Sequence, residues 1–281
     1  MKVRQLGAVA AASVLALSLT ACGDSASDSG ASGDGGSGKA FKVGIKFDQP
    51  GLGLKEGSTY TGLDVDVATY VAKELGHEAA DIQWVQAPSA QRETLISTGQ
   101  VDMVVATYSI SDARKEKISF AGPYFIAGQD LLVRNDDTSI TGPDSLTGKK
   151  LCSVKGSTSA QKVKDTYPGV QLQEFGTYSE CVAALVSKGV DALTTDNTIL
   201  AGYAAQEQYK GKLKVVGKTF SEERYGIGIK KGDTATCEKI NTAIAKMISS
   251  NEWQAAVDKN LGPAGFKVDT ATNPPKQDAC S

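Results

Sequence analysis

Two short segments carry residues whose types and spacing suit charge pairing. In the segment YSISDAR, hydroxyls at Ser109 and Ser111 precede Arg114, and a guanidinium offers a rigid fork of donors that suits a carboxylate. Asp196 follows the apolar run ALTT, so its carboxylate stands where a predicted strand ends. A surface arginine at a helix end and an aspartate that caps the next helix are the ordinary alternatives. The surrounding elements therefore have to distinguish binding from purely structural roles.

Predicted strands and helices alternate along most of the chain in two tandem units. The first unit consists of strand 41–47, helix 64–74, strand 82–85, a helix containing Leu95 and Ile96 that Ser89 caps, and strand 101–106. The second unit consists of strand 150–154, helix 158–166, strand 170–175, helix 179–188, strand 190–195, helix 197–206 and strand 213–216. This order is typical of mainly parallel sheets with helices on both faces.

Two strand-like segments join the units, QDLLVR at 129–134 and RYGIGI at 224–229, and a long helix over 234–249 and a shorter one around Trp253 follow. Two crossovers between two α/β units imply a hinge, with ligands bound at the carboxyl ends of the strands. We therefore expect one lobe over 41–130 and 228–266, a second lobe over 131–227, and a tail over 267–281.

The start of the chain predicts export and anchoring. Residues 1–21 combine charged Lys2 and Arg4 with an apolar core that is too short to span a bilayer as a stable helix. The tetrapeptide LTAC at 19–22 resembles the lipobox of bacterial lipoproteins, so Cys22 is the expected lipidated N-terminus; a signal peptide with a chance cysteine is the alternative. Residues 22–40 are rich in Gly, Ser and Asp, which predicts a flexible tether on the outer face of the cytoplasmic membrane.

The remaining cysteines form an even set. Cys152, Cys181, Cys237 and Cys280 allow three pairings, of which Cys152–Cys181 and Cys237–Cys280 are predicted because the first pair lies within one lobe. The second pair would fix a Pro-rich tail that shows no other anchor. No CxxC motif occurs and the chain has one histidine, His77, so no metal site is expected.

Composition limits the partners. The chain has 30 Lys and Arg against 32 Asp and Glu, so no basic field for nucleic acid is expected. We also expect a monomer without a cofactor.

Several motifs match one known family. They are GLDVDVA at 62–68, Arg92 followed by SISDARKEKISFAGPYF, VKGSTSAQ and VDALTTD. These segments resemble family 3 of the solute-binding proteins, the polar amino-acid receptors of ABC importers, and the likeness covers 41–266. GIKFDQPGLG, APSAQRETL and EERYGIGIKKGD are most similar to the glutamate-receptor branch. The resemblance implies an α/β, two-lobed type II periplasmic-binding-protein fold with two crossover hinge strands.

The resemblance also implies how an amino acid is held. Arg114 would bind the α-carboxylate with help from Ser109, and the helix start at Ser157 and Thr158 would hold it from the other lobe. Asp196 would bind the ammonium together with the Ala106 carbonyl and the Ser109 hydroxyl. The candidate set also includes Thr107.

Three further residues are expected to face the ligand's side chain. Lys46 and Arg92 would pair with a second carboxylate, which predicts glutamate first and aspartate second; the alternative is that both are solvated cations beside Asp48 and Glu93. Leu63 could touch the ligand. The expected partners are the permease and its ATPase, and no catalysis is expected. A glutamine or asparagine receptor, a sensor for a membrane kinase and an extracytoplasmic dehydratase are the alternatives.

Overall fold

The computed structural model describes residues 40–280, and the predicted signal, lipobox and tether up to residue 39 lie outside them. The strands of the described part are β1 (Phe41–Ile45), β2 (Asp48–Gln49), β3 (Gly53–Glu56), β4 (Thr59–Thr61), β5 (Ile82–Gln86), β6 (Met103–Val104), β7 (Ser119–Ala127), β8 (Gln129–Arg134), β9 (Lys150–Val154), β10 (Gln171–Phe175), β11 (Ala192–Asp196), β12 (Leu213–Val215) and β13 (Glu223–Ile229). Its helices are α1 (Leu63–Glu74), α2 (Arg92–Ser97), α3 (Asp112–Lys115), α4 (Thr158–Thr166), α5 (Tyr178–Val186), α6 (Asn197–Ala205), α7 (Thr234–Ser249) and α8 (Glu252–Leu261).

The strands form two five-stranded mixed sheets. The first has the order β5-β1-β6-β13-β7, with β1 parallel to β5 and β6, and β13 antiparallel to β6 and β7. The second has the order β10-β9-β11-β8-β12, with β9 parallel to β10 and β11, and β8 antiparallel to β11 and β12. The sequence did not predict the small antiparallel sheet of β2, β3 and β4.

The chain crosses between the two sheets at two places. Gly128 separates β7 in the first sheet from β8 in the second, and residues 216–222 return the chain from β12 to β13. All of β13 belongs to the first sheet, so the crossovers fall a few residues before the expected boundaries at 130/131 and 227/228. The two crossovers lie side by side. Glu223, where β13 begins, pairs with Ala127, where β7 ends just before Gly128.

Local capping explains where several helices begin. The Ser157 hydroxyl accepts a hydrogen bond from the Ala160 N–H at the start of α4, and the Asp233 carboxylate does the same for Thr236 in α7. The expected cap at Ser89 was wrong, because α2 begins three residues later, at Arg92. The Ser89 hydroxyl instead accepts a hydrogen bond from Lys46 Nζ at 2.7 Å. None of the helices at residues 40–280 is long and apolar enough to cross a bilayer.

Both predicted disulfides are formed. Cys152–Cys181 joins β9 to α5, and Cys237–Cys280 joins α7 to the tail. The tail has further anchors, contrary to expectation. The Asn273 side chain exchanges two hydrogen bonds of 2.9 Å with the backbone of Ile126 on β7, and Asp278 pairs with Arg224 at 2.6 Å. The tail therefore packs along β7, the edge strand of the first sheet.

Candidate functional site

Arg114 lies on α3 with only 8 % of its surface exposed, so it is no ordinary surface arginine. Its Nη1 donates to the Ser109 carbonyl at 2.7 Å, and its Nη2 donates to the Gly156 carbonyl at 3.1 Å. The second bond reaches the loop that leads into α4, so Arg114 connects segments packed on different sheets. Glu93 pairs with Arg114 Nε at 3.5 Å, and not with Arg92 as the solvated-cation alternative supposed.

Asp196 ends β11 and is 4 % exposed. The Tyr225 hydroxyl on β13 donates to Asp196 Oδ2 at 2.7 Å, and Oδ1 has no hydrogen-bond partner among the described residues. The side chain does not cap α6, which removes the structural alternative. Burial, followed by repulsion from Glu223, raises the pKa of Asp196 to about 8. A buried carboxylate oxygen without a partner is costly, and an ammonium group would satisfy it.

Lys46 and Arg92 are both buried, with 5 % and 2 % of their surfaces exposed, so neither is a solvated cation. Arg92 lies 4.0 Å above the ring of Tyr108, and its Nε has no hydrogen-bond partner in the described chain. Burial and repulsion from Arg114 lower the pKa of Arg92 to about 10. Burial, followed by repulsion from Arg92, lowers the pKa of Lys46 well below its ordinary value. The three cations therefore form one buried positive cluster, which favours an anionic ligand.

The turn after β6 presents backbone oxygens to this cluster. The Ala106 carbonyl accepts from Arg92 Nη1 at 2.9 Å and lies 2.7 Å from the Thr107 hydroxyl. The Thr107 hydroxyl also lies 3.1 Å from Gln49 Oε1, and ammonium binding by the Ala106 carbonyl stays a prediction. The Thr107 carbonyl receives only a long 3.4 Å contact from Arg92 and is the better acceptor. Ser109 lies in the same turn and is 3 % exposed.

The loop before α4 lies against the segment at Ser89 and Ala90, just before α2. Gly156 has a φ of +79°, and a Cβ there would come within 2.7 Å of Ala90 Cα, so glycine permits a close backbone approach. Thr158, the first residue of α4, donates its hydroxyl to Glu223 Oε2 at 2.9 Å. Ser157 is 8 % exposed and caps the helix with its side chain. The start of α4 thus lies close to Arg114, which donates to the Gly156 carbonyl just before it.

Leu63 is fully buried among apolar side chains at the start of α1, and its contact with a ligand remains a prediction. Sequence reasoning missed Tyr225 and Glu223 as partners of Asp196 and Thr158. Tyr225 lies in the strand predicted over 224–229 and Glu223 lies one residue before it, but nothing in a single sequence indicates which strand faces a distant carboxylate. Asp64 was also missed as a buried residue, because its position in a first helical turn explains a carboxylate there without burial.

Comparison with known proteins agrees with this geometry. The family model for bacterial extracellular solute-binding proteins, family 3, matches residues 41–272. The chain is 49 % identical over 280 residues to the glutamate-binding protein GluB of Corynebacterium glutamicum, covering 95 % of this chain and 94 % of that one. It is 36 % identical to the glutamine-binding protein GlnH of Bacillus subtilis, covering 77 % and 79 %.

A solved structure of an ancestral arginine-binding protein bound to glutamine has a TM-score of 0.74 to this chain. The two are 34 % identical, and the match covers 80 % of this chain and 98 % of the other. The two-sheet α/β architecture is accordingly the type II periplasmic-binding-protein fold. The chain belongs to the bacterial extracellular solute-binding proteins of family 3.

Proposed function

We propose that the protein is an extracytoplasmic receptor that binds glutamate, and less tightly aspartate, between its two sheets and delivers it to an ABC permease. The observation that carries this proposal is the buried carboxyl group of Asp196, one oxygen of which has no hydrogen-bond partner within residues 40–280, near a cluster of three buried cations. Glutamate carries one ammonium and two carboxylates, so its charges complement this set. The identity to GluB over almost the whole chain supports the same ligand.

The α-groups of the ligand would be bound by residues from both sheets. Arg114 still has N–H groups to offer a carboxylate beyond its two bonds to carbonyl oxygens, and the N–H groups that begin α4 lie across from it. Asp196 Oδ1 and the Thr107 carbonyl would accept hydrogen bonds from the ammonium, and the Ser109 hydroxyl is the third candidate acceptor.

The side chain of the ligand would be read by Lys46 and Arg92. Both are buried, and Arg92 Nε lacks a partner among the described residues, so a γ-carboxylate would give the pair its counter-charge. A neutral amide would leave at least one cation underpaired. Glutamate should therefore bind better than glutamine, whereas a receptor like GlnH would show the opposite order.

Closure of the two lobes would follow from contacts that the ligand makes with both. Lobe 1 would comprise residues 41 to about 128 and 223 onward, and lobe 2 the residues between. Hydrogen bonds already cross between them, from Arg114 to Gly156 and from Tyr225 to Asp196. Because a ligand touching both lobes binds only the closed form tightly, its differential affinity would drive closure, and no bond is made or broken.

Delivery to a permease requires the receptor to stay near the membrane. Lipidation of Cys22 and the Gly/Ser/Asp-rich tether up to residue 40 would provide this, with residues 1–21 removed as the signal.

A thermal-unfolding screen of the twenty amino acids tests the function. At equal concentrations, a ligand that binds only the folded state raises the unfolding temperature more the tighter it binds. Glutamate should give the largest rise and aspartate the next, and neither should stabilise Arg114→Ala. A rise with glutamine that exceeds the rise with glutamate would instead assign the protein to amide ligands.

A further inference from the structure

Asp64 is a buried acid, and its local sequence does not explain why it is buried. It lies in the first turn of α1, where a carboxylate suits the helix dipole without being buried. Asp66 in the same turn behaves in that way, since it stays partly exposed and pairs with Lys259 at 2.9 Å. Asp64 is fully buried, and burial raises its pKa to about 6. Such a cost to folding requires a compensating role.

Both carboxylate oxygens of Asp64 are committed. Oδ2 accepts a hydrogen bond of 2.9 Å from the N–H of Thr107, and Oδ1 accepts one of 2.6 Å from the Tyr124 hydroxyl. Thr107 lies 43 residues away along the chain, in the turn of the candidate site. The Tyr124 bond fixes the orientation of the carboxylate, so its other oxygen is held toward the turn.

Thr107 has a backbone conformation that a threonine adopts only under constraint. Its φ is +45°, in the left-handed region, which costs a β-branched residue roughly 1–3 kcal/mol. The N–H bond to Asp64 and the contacts of Arg92 with the carbonyls of Ala106 and Thr107 hold the two peptide units that flank this residue. The direction of the Thr107 carbonyl, the candidate acceptor for an ammonium, depends on these bonds.

We propose that Asp64 is a positioning residue for ligand binding, which holds Thr107 in its left-handed conformation through the N–H bond and thereby aims the Thr107 carbonyl at the ligand. Asp64 itself makes no contact with the ligand. The proposal rests on the proposed function only for the identity of the ligand. It predicts equal effects of Asp64 on glutamate and glutamine, because both carry the same α-ammonium.

Nuclear magnetic resonance of the ligand-free protein tests the N–H bond without any mutation. The amide proton of Thr107 should shift as Asp64 titrates, with the same midpoint as the Asp64 carboxyl carbon, because an N–H that donates to a carboxylate senses its ionisation. The amide of Val67, inside α1, should not follow that titration. A Thr107 amide that stays constant while Asp64 titrates overturns the proposal.

Calorimetry of three variants then tests the effect on binding. Asp64→Ala should weaken glutamate and glutamine equally, by about tenfold or more, because the Thr107 N–H loses its buried acceptor. Asp64→Asn should stay within about threefold of the wild type, because its amide oxygen still accepts from Thr107 and its NH₂ can donate to the Tyr124 oxygen. Asp66→Ala is the matched control and should bind normally.

The outcomes separate this proposal from the proposed function. If Asp64→Ala unfolds, the Thr107 titration and the affinity of Asp64→Asn still test the proposal. If folded Asp64→Ala binds as the wild type does, or if Asp64→Asn loses as much as Asp64→Ala, positioning by this hydrogen bond is refuted while the receptor function stands. If the wild type binds no amino acid but the Thr107 amide titrates with Asp64, the function fails and the positioning remains.

Discussion

Replacing Lys46 by methionine should convert the receptor from a preference for glutamate toward equal binding of glutamate and glutamine. The substitution keeps an unbranched side chain of similar length and removes the charge. Lys46 is 5 % exposed, its ammonium makes one hydrogen bond among the described residues, the 2.7 Å contact with Ser89, and the neighbouring Arg92 and Arg114 repel it. Removing a repelled, buried cation should leave the free energy of unfolding unchanged or raise it.

The expected loss follows from the burial of the charge pair. Truncating one partner of a buried, hydrogen-bonded charge pair costs about 2–5 kcal/mol, so glutamate should bind roughly 30-fold to several thousand-fold more weakly. Glutamine has a neutral amide and would lose only one hydrogen bond, which costs about 0.5–1.5 kcal/mol, or roughly tenfold at most.

Titration calorimetry with both ligands, on the wild type and on Lys46→Met, measures the change in preference. Lys73→Met is the matched control, because it removes an exposed cation on α1 and should leave both affinities unchanged. Equal losses for glutamate and glutamine would show that Lys46 supports the site without reading the γ-carboxylate, and the reasoning would be wrong.

Three other predictions concern the clamp, the buried acid and the anchor. Arg114→Ala and Asp196→Ala should each remain folded but lose about 2–5 kcal/mol of binding for every amino acid, because a buried ligand charge is left unpaired; calorimetry with wild-type affinity in Arg114→Ala would refute the site. Because the folded pKa of Asp64 is about 6 and the model-peptide value is lower, the folded state holds the proton over that interval and stability falls as pH rises through it. Relative to Asp64→Asn, the free energy of unfolding of the wild type should drop by about 2 kcal/mol between pH 4 and pH 6.5 in denaturant titrations, and a flat difference would contradict the burial cost. Cys22→Ala should release the protein into the medium or leave it unprocessed, and unchanged partitioning into the detergent phase would rule out lipidation at Cys22.

Local signals in the sequence account for most of the helices and inner strands. The helix predicted over 234–249 is observed with those bounds, because Asp233 caps its start and an apolar stripe covers one face. The strand at 150–154 and the helix at 158–166 also match, since an apolar run and the Ser157 cap mark them. The three short strands between Asp48 and Thr61 were not predicted, because strands of two to four residues carry too little periodicity.

The candidate site was predictable in its charges and not in its hydrogen bonds. Arg114 and Asp196 stood out because charged residues beside buried strand ends are unusual. The partner of Asp196, Tyr225, and the bond from Asp64 to Thr107 join residues separated by 29 and 43 positions, and only the folded chain brings them together. The first contact depends on the packing of the two sheets and the second on the packing of α1 beside the turn after β6, and no local pattern encodes either.

The central claim is that this protein binds glutamate in preference to its amide and its shorter homologue. Titration calorimetry of the mature wild-type protein with glutamate, aspartate, glutamine and asparagine tests it most directly. We expect one glutamate to bind per chain, with aspartate next and both amides weaker. Tighter binding of glutamine than of glutamate, or no saturable binding of any of the four, would contradict it.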